Sequence, residues 1–114
     1  MDLETIAKEL DLEVVTASVK LERQVTGGYA SDLLSDVLAT AKEGNVWITL
    51  QIHQNIVGVA TMKGIAGVIV VNGRKPEPDV IRKAEEEGIA VMVSSLPAFE
   101  VVGRLYRMGV VGVE

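Results

Sequence analysis

A chain of 114 residues with 48% apolar, 24% charged and 4% aromatic side chains is a folding sequence, large enough for one core and obliged to build it from Val, Ile, Leu and Ala. Its net charge of −5, with Lys and Arg scattered, excludes the basic footprint of a nucleic-acid binder. The lack of cysteine and the single histidine, His53, exclude disulfides, thiolate chemistry and a multi-histidine metal site within one chain.

Leu3, Ile6, Ala7 and Leu10 recur at helical spacing behind Asp2, a competent N-cap, and predict a short first helix. DLEVVTAS reads as a strand on its β-branched residues. KLERQVTGGYASD carries little signal; a second strand leading into a turn at Thr26-Gly27-Gly28 is the expectation. From Asp32 to Lys42 a stripe of Leu33, Leu34, Val37, Leu38 and Ala41 predicts a helix capped by Ser31. VWITLQI alternates, with Val46, Ile48, Leu50 and Ile52 on one face of a strand and Trp47, Thr49 and Gln51 on the other.

Gln54 to Lys63 is apolar on nearly every side and reads as a closely packed helix. Gly67 to Val71 and Ile89 to Val93 are continuous apolar runs, the pattern of strands buried on both faces. Between them, Pro78 to Glu87 predicts a helix with Val80, Ile81 and Ala84 inward. Pro97 to Met108 repeats the pattern with Ala98, Val101, Val102 and Leu105 inward, and Val110 to Glu114 is an edge strand or a tail. Gly44, Gly64, Gly88 and Gly109 each follow a helix where a left-handed residue would turn the chain. Strands alternating with helices predict a three-layer α/β/α fold with a mostly parallel central sheet, organised as one domain over residues 1–114.

In such a sheet the ligand crevice lies beyond the carboxyl ends of the strands. Thr26-Gly27-Gly28, Gln51 to Asn55, Asn72 to Lys75 and Ser94-Ser95 are the segments expected there. The candidate ligand-binding residues are Thr49, Gln51, His53, Asn55, Asn72, Gly73, Arg74, Ser94 and Ser95. Simpler readings stand beside these: Asn72-Gly73 as a turn, Ser94 or Ser95 as a helix cap, and Asp32 as an acid favouring the positive end of its own helix. No P-loop and no G-x-S-x-G elbow occurs, so neither catalytic residues nor a cofactor is expected.

The segments TGGYASDLLSDVLATAKEGNVWITLQIHQNIVGVATMKGIAGVIVVNGRKP and EEGIAVMVSSLPAFEVVGRLY resemble the DRTGG domain family over nearly the whole chain. That resemblance implies a regulatory or assembly module, similar in fold to the N-terminal domain of HPr kinase/phosphorylase and without its kinase domain. The family's Asp-Arg pair falls on Ile52-His53 and its Thr-Gly-Gly on Val71-Asn72-Gly73, so only the last glycine is kept. Thr26-Gly27-Gly28 stands too early to be that motif. Losing Asp-Arg removes a carboxylate and a bidentate guanidinium.

The expectation is therefore a non-catalytic regulatory domain acting through an unidentified protein partner, with a small anionic or nucleotide ligand at the strand ends as a further candidate. A homodimer is expected because a mean hydropathy of +0.31 in a small domain leaves apolar surface to cover. No apolar run approaches the roughly 18 residues of a membrane span and no basic segment leads into one. A cytoplasmic location follows, with neither membrane nor nucleic acid as partner.

Overall fold

The segments NVWIT, GVIV and AVMV are buried at every position, and a strand buried on both sides needs helices above and below it. The computed structural model describes residues 1–53 and 55–113. Gln54, expected to open the third helix, and Glu114, in the final segment, lie outside the described residues. In chain order the elements are α1 (Leu3–Glu9), β1 (Glu13–Val14), β2 (Gly27–Ala30), α2 (Leu34–Thr40), β3 (Asn45–Thr49), α3 (Asn55–Lys63), β4 (Gly67–Val70), α4 (Pro78–Glu87), β5 (Ala90–Val93) and α5 (Ala98–Arg107).

The sheet order is β1-β5-β4-β3-β2. Strands β2 to β5 are parallel, and β1 runs antiparallel along β5. Helices α1 and α5 cover one face, setting Leu3, Ile6, Val101 and Leu105 against Val46, Ile48, Ile69 and Met92. Helices α2, α3 and α4 cover the other, setting Val37, Ile56, Ala60, Val80 and Ala84 against Trp47, Val68, Val70 and Val91. This is the expected three-layer α/β/α arrangement. The helix-ending glycines behave as their positions require: Gly44, Gly64, Gly88 and Gly109 all have positive φ.

Several local expectations are corrected. Gly27 and Gly28 form no turn; they open β2, paired with Asn45 and Val46 of β3. They therefore lie at the amino end of the sheet, away from the other three candidate loops. A Cβ at Gly27 would stand 2.9 Å from the Val111 carbonyl, and Gly28 N donates to that carbonyl at 2.9 Å. The glycine is there for close backbone approach. The final segment makes one parallel bridge, Gly28 with Gly112, which is more than a tail and less than a strand.

Helix α2 begins at Leu34, with Leu33 in extended conformation as its N-cap. Leu33 is thereby turned out to 65% exposure, and Leu34, Val37, Leu38 and Ala41 make the inward stripe. Val102 of α5 is exposed as well. Ser31 caps no α2 amide by side chain; its hydroxyl accepts from Leu33 N at 3.2 Å. Ile52 lies past the end of β3 and packs with Trp47 on the second face, not beside Val46 and Ile48. The polar-looking face of β3 is buried, and Trp47 Nε1 donates to the Ser31 carbonyl at 2.8 Å.

Two predictions follow from this packing. At Gly67, a Cβ would lie 3.0 Å from both Leu3 methyls and from Met92 Cε, so Gly67→Val should overpack the α1 side and destabilise by about 1–3 kcal/mol in urea unfolding. The second concerns Tyr29 Oη, which donates to Asp36 Oδ2 at 2.6 Å and ties β2 to α2. The Tyr29 hydroxyl, with help from Ser31 and Thr40, holds the Asp36 carboxyl below the usual carboxylate range. Hydrogen bonding to Asp36 raises Tyr29 above the usual phenol value. The Asp36 contribution is present above about pH 4 and is lost as pH falls through its lowered value. The Tyr29 contribution is present below about pH 10 and is lost as pH rises through its raised value. Tyr29→Phe should therefore cost stability near neutrality and progressively less toward both extremes. An unfolding midpoint difference that stays constant with pH would refute this.

Candidate functional site

Because β2 to β5 are parallel, their carboxyl ends line one edge of the sheet. The second residues beyond the four strands are Asp32, Gln51, Asn72 and Ser95. After β4 the chain enters α4 on one face, and after β5 it enters α5 on the other. Adjacent strands whose helices diverge in this way mark the switch point where α/β sheets open a crevice.

Here that point is closed. Asn72 N donates to the Leu96 carbonyl at 2.9 Å and Gly73 N to the Ser94 carbonyl at 2.7 Å, so the two loops continue pairing past the strands. Asn72 and Gly73 have φ of 60° and 64°, and Arg74 N returns to the Val71 carbonyl at 3.2 Å. This is a tight turn with two left-handed central residues, and the glycine at its second position suits that conformation. Ser94 is buried, and its Oγ accepts from Leu96 N at 3.1 Å. It shapes its own loop and does not cap α5, whose N-cap is Pro97 with no side-chain bond. Ser95 is exposed.

The loop after β3 is held from both sides. Asp32 Oδ1 accepts from Thr49 Oγ1 at 2.8 Å and from Leu50 N at 2.7 Å. Thr49 Oγ1 in turn accepts from Gln51 N at 3.1 Å, and Gln51 Nε2 donates to the Asp32 carbonyl at 2.9 Å. From the opposite side Arg74 Nη1 donates to the Leu50 carbonyl at 2.7 Å. His53 Nδ1 lies 2.9 Å from Glu77 Oε1, and Glu77 is the N-cap residue of α4. Asn55 opens α3 and is exposed. Asp32 thus serves β3 more than the start of its own helix, contrary to the simpler expectation for it.

The fold brings all nine candidate residues to one edge and engages the side chains of Thr49, Gln51, His53, Arg74 and Ser94 chiefly with neighbours outside the nine, namely Asp32, Leu50, Glu77 and Leu96. What stays open is a cavity of about 200 Å³ over the ends of β2 and β3, lined by Ser31, Asp32, Thr49, Leu50, Val71 and Ala98. Only Thr49 among the nine lines it. Ser31, Asp32 and Ala98 are the residues that sequence reasoning did not place there. Asp32, like Gln51, Asn72 and Ser95, is the second residue past its strand, though the register sets it opposite Leu50; the signal is hidden because Gly27-Gly28 disguised β2 as a turn. A second, apolar groove of about 310 Å³ adjoins it through Ala30 and Ile48 and runs between β2, α5 and the final segment, past Tyr29, Leu105, Tyr106 and Val111. Among the described residues no group of three or more His, Asp or Glu is arranged to hold a metal ion.

Removing the Asp32 carboxylate leaves the buried Thr49 hydroxyl and Leu50 N–H without their acceptor. Asp32→Ala should therefore destabilise by about 1–3 kcal/mol, measured by urea unfolding. Asp32→Asn, which keeps one acceptor oxygen, should cost less.

Comparison with known proteins now bears on this geometry. No curated protein matches the sequence. Among solved structures, the chain is similar to the CBS and DRTGG domains of the regulatory region of Clostridium perfringens pyrophosphatase, a structure complexed with its activator diadenosine tetraphosphate. The superposition has a TM-score of 0.69 at 15% identity and covers 90% of this chain and 45% of that one. The likeness is one of fold, and the chain spans less than half of that structure's length. The DRTGG domain matches residues 5–108, and with the match running across nearly all of the chain, this protein belongs to the DRTGG domain family.

Proposed function

We propose that this chain is a non-catalytic regulatory domain that acts through protein contacts, itself as a homodimer and with a further protein partner, in the cytoplasm. The observation that carries this reading is the division of its surface. At the strand ends the side chains of Thr49, Gln51, His53, Arg74 and Ser94 are engaged with neighbouring residues, while exposed apolar side chains line the open groove between β2, α5 and the final segment. Val102, Tyr106 and Val111 line it and are all exposed. Contiguous apolar surface of this kind marks contact with protein. Family membership supports a regulatory role, and so does the fold neighbour, which is itself a regulatory region.

Catalysis is disfavoured by how the polar groups are spent. The hydroxyls of Thr49 and Ser94 are turned toward Asp32 and Leu96 N, while His53 faces Glu77. The one hydroxyl that does face a base, Thr49, is buried and tied between Asp32 and Gln51 N, a structural pairing with no room for a reacting atom at that oxygen.

The second reading is a sensor of a nucleotide or phosphorylated metabolite at the strand ends, favoured by the dinucleotide activator bound in the neighbouring structure. The local chemistry weighs against a polyphosphate. Asp32 stands in the cavity wall, Glu77 accompanies His53, and Arg74 is already bound to the Leu50 carbonyl. An anion there would meet two carboxylates in a chain of net charge −5.

Thermal unfolding with diadenosine tetraphosphate, AMP or ATP tests the choice. The expected result is no change in melting temperature at millimolar ligand. A rise of several degrees, as about 2.7 kcal/mol at a hundredfold excess over Kd would give, lost in Arg74→Ala, would replace the leading reading with the sensor.

A further inference from the structure

Two helical glycines have no cause inside the chain. Gly58 of α3 and Gly103 of α5 are exposed, and a Cβ at either would meet nothing within 4 Å. Neither has the positive φ of the helix-ending glycines. Glycine weakens a helix interior, and what distinguishes one such site as a contact is the side chains around it.

The surroundings of the two differ. Gly58 is followed at the next turn by Thr61 and Met62, with no charge and no aromatic ring. Gly103 sits at the middle of α5, one turn from Phe99 and from Tyr106, which are 88% and 63% exposed. These positions follow the i, i+4, i+7 spacing of a single stripe. The other flank carries Glu100 toward the start of the helix and Arg104 and Arg107 in its last turn, with Glu100 and Arg104 3.9 Å apart.

We propose that α5 forms the homodimer contact, packed antiparallel against α5 of a second copy with the two Gly103 residues at the crossing. The proposal rests on the homodimer in the function proposed above and names its surface. Glycine at the crossing lets the backbones approach, as small residues do in close helix pairs. A two-fold axis through Gly103 sets each residue before it opposite one the same distance after it in the second copy. Phe99 then meets the partner's Tyr106 and Arg107, a ring and a cation suited to its face. Glu100 meets the partner's Tyr106 and Arg107, and the helix dipoles oppose. A parallel pairing would instead put acid on acid and base on base. The charge order of α5 is therefore self-complementary in one orientation only, which is why a second copy is the occupant.

Sedimentation equilibrium on the full chain tests this. The wild type is expected to dimerise, and Gly103→Gln to raise the dissociation constant about tenfold or more. Gly58→Gln makes the same change in helix propensity and should leave that constant unaltered. Glu100→Arg and Arg107→Glu should each weaken the dimer, and the two in one chain should restore it, a recovery that local helix effects would not produce. A dimer indifferent to Gly103→Gln and to both charge changes would move the contact elsewhere and leave the homodimer standing. A monomer at every concentration up to about a tenfold excess over the micromolar range would overturn both.

Discussion

Strand β3 is the constraint on which the rest is arranged, because every residue of it is buried while Asn45, Trp47 and Thr49 carry polar groups that cannot be left unpaired. Trp47 and Thr49 reach the same place, the connection between β2 and α2, where one finds the Ser31 carbonyl and the other the Asp32 carboxylate. Satisfying β3 therefore fixes the exit of β2. Asp32 also accepts from Leu50 N, so the exit of β3 is fixed by the same residue. The chain solves a burial problem in its central strand by immobilising two adjacent strand ends, and among the described residues no buried side-chain polar atom is left without a partner.

That solution has a consequence for the edge where the parallel strands end. Loops at strand ends carry function when a rigid scaffold presents unspent polar groups. In this chain His53 makes contact with the neighbouring helix cap, Glu77. The turn at Asn72-Gly73 is closed on itself and pairs with the β5 loop. The edge is built like a clasp. Its order supports the sheet, and what remains open has an acidic wall and an apolar continuation toward α5.

Much of the fold is legible in the sequence, for a physical reason. β4, β5, α3, α4 and α5 are announced by continuous apolar runs or helical stripes, since burial on two faces or one leaves those patterns. β2 is not, because its glycines answer to the Val111 carbonyl, more than eighty residues away in the chain. Leu33 and Val102 continue their stripes in sequence yet face solvent, because a cap conformation and an open groove decide their exposure. The candidate site is legible in location and not in chemistry. Register places Gln51, Asn72 and Ser95 at one edge, but whether their neighbours consume their hydrogen bonds depends on contacts between loops that no local pattern records.

Helix α5 joins the two surfaces that remain. Its first residue, Ala98, forms part of the wall of the strand-end cavity, and Gly103 lies five residues on, about 7.5 Å along the axis. Val101 and Leu105 lock the inner face into the core, so α5 moves as a body or not at all. A ligand that displaced Ala98 would thus shift the ridge around Gly103, and a second copy on that ridge would restrain the cavity wall. Linkage makes the two effects equal in free energy. Were a ligand and a second copy both to bind, one rigid helix would couple them without a further moving part.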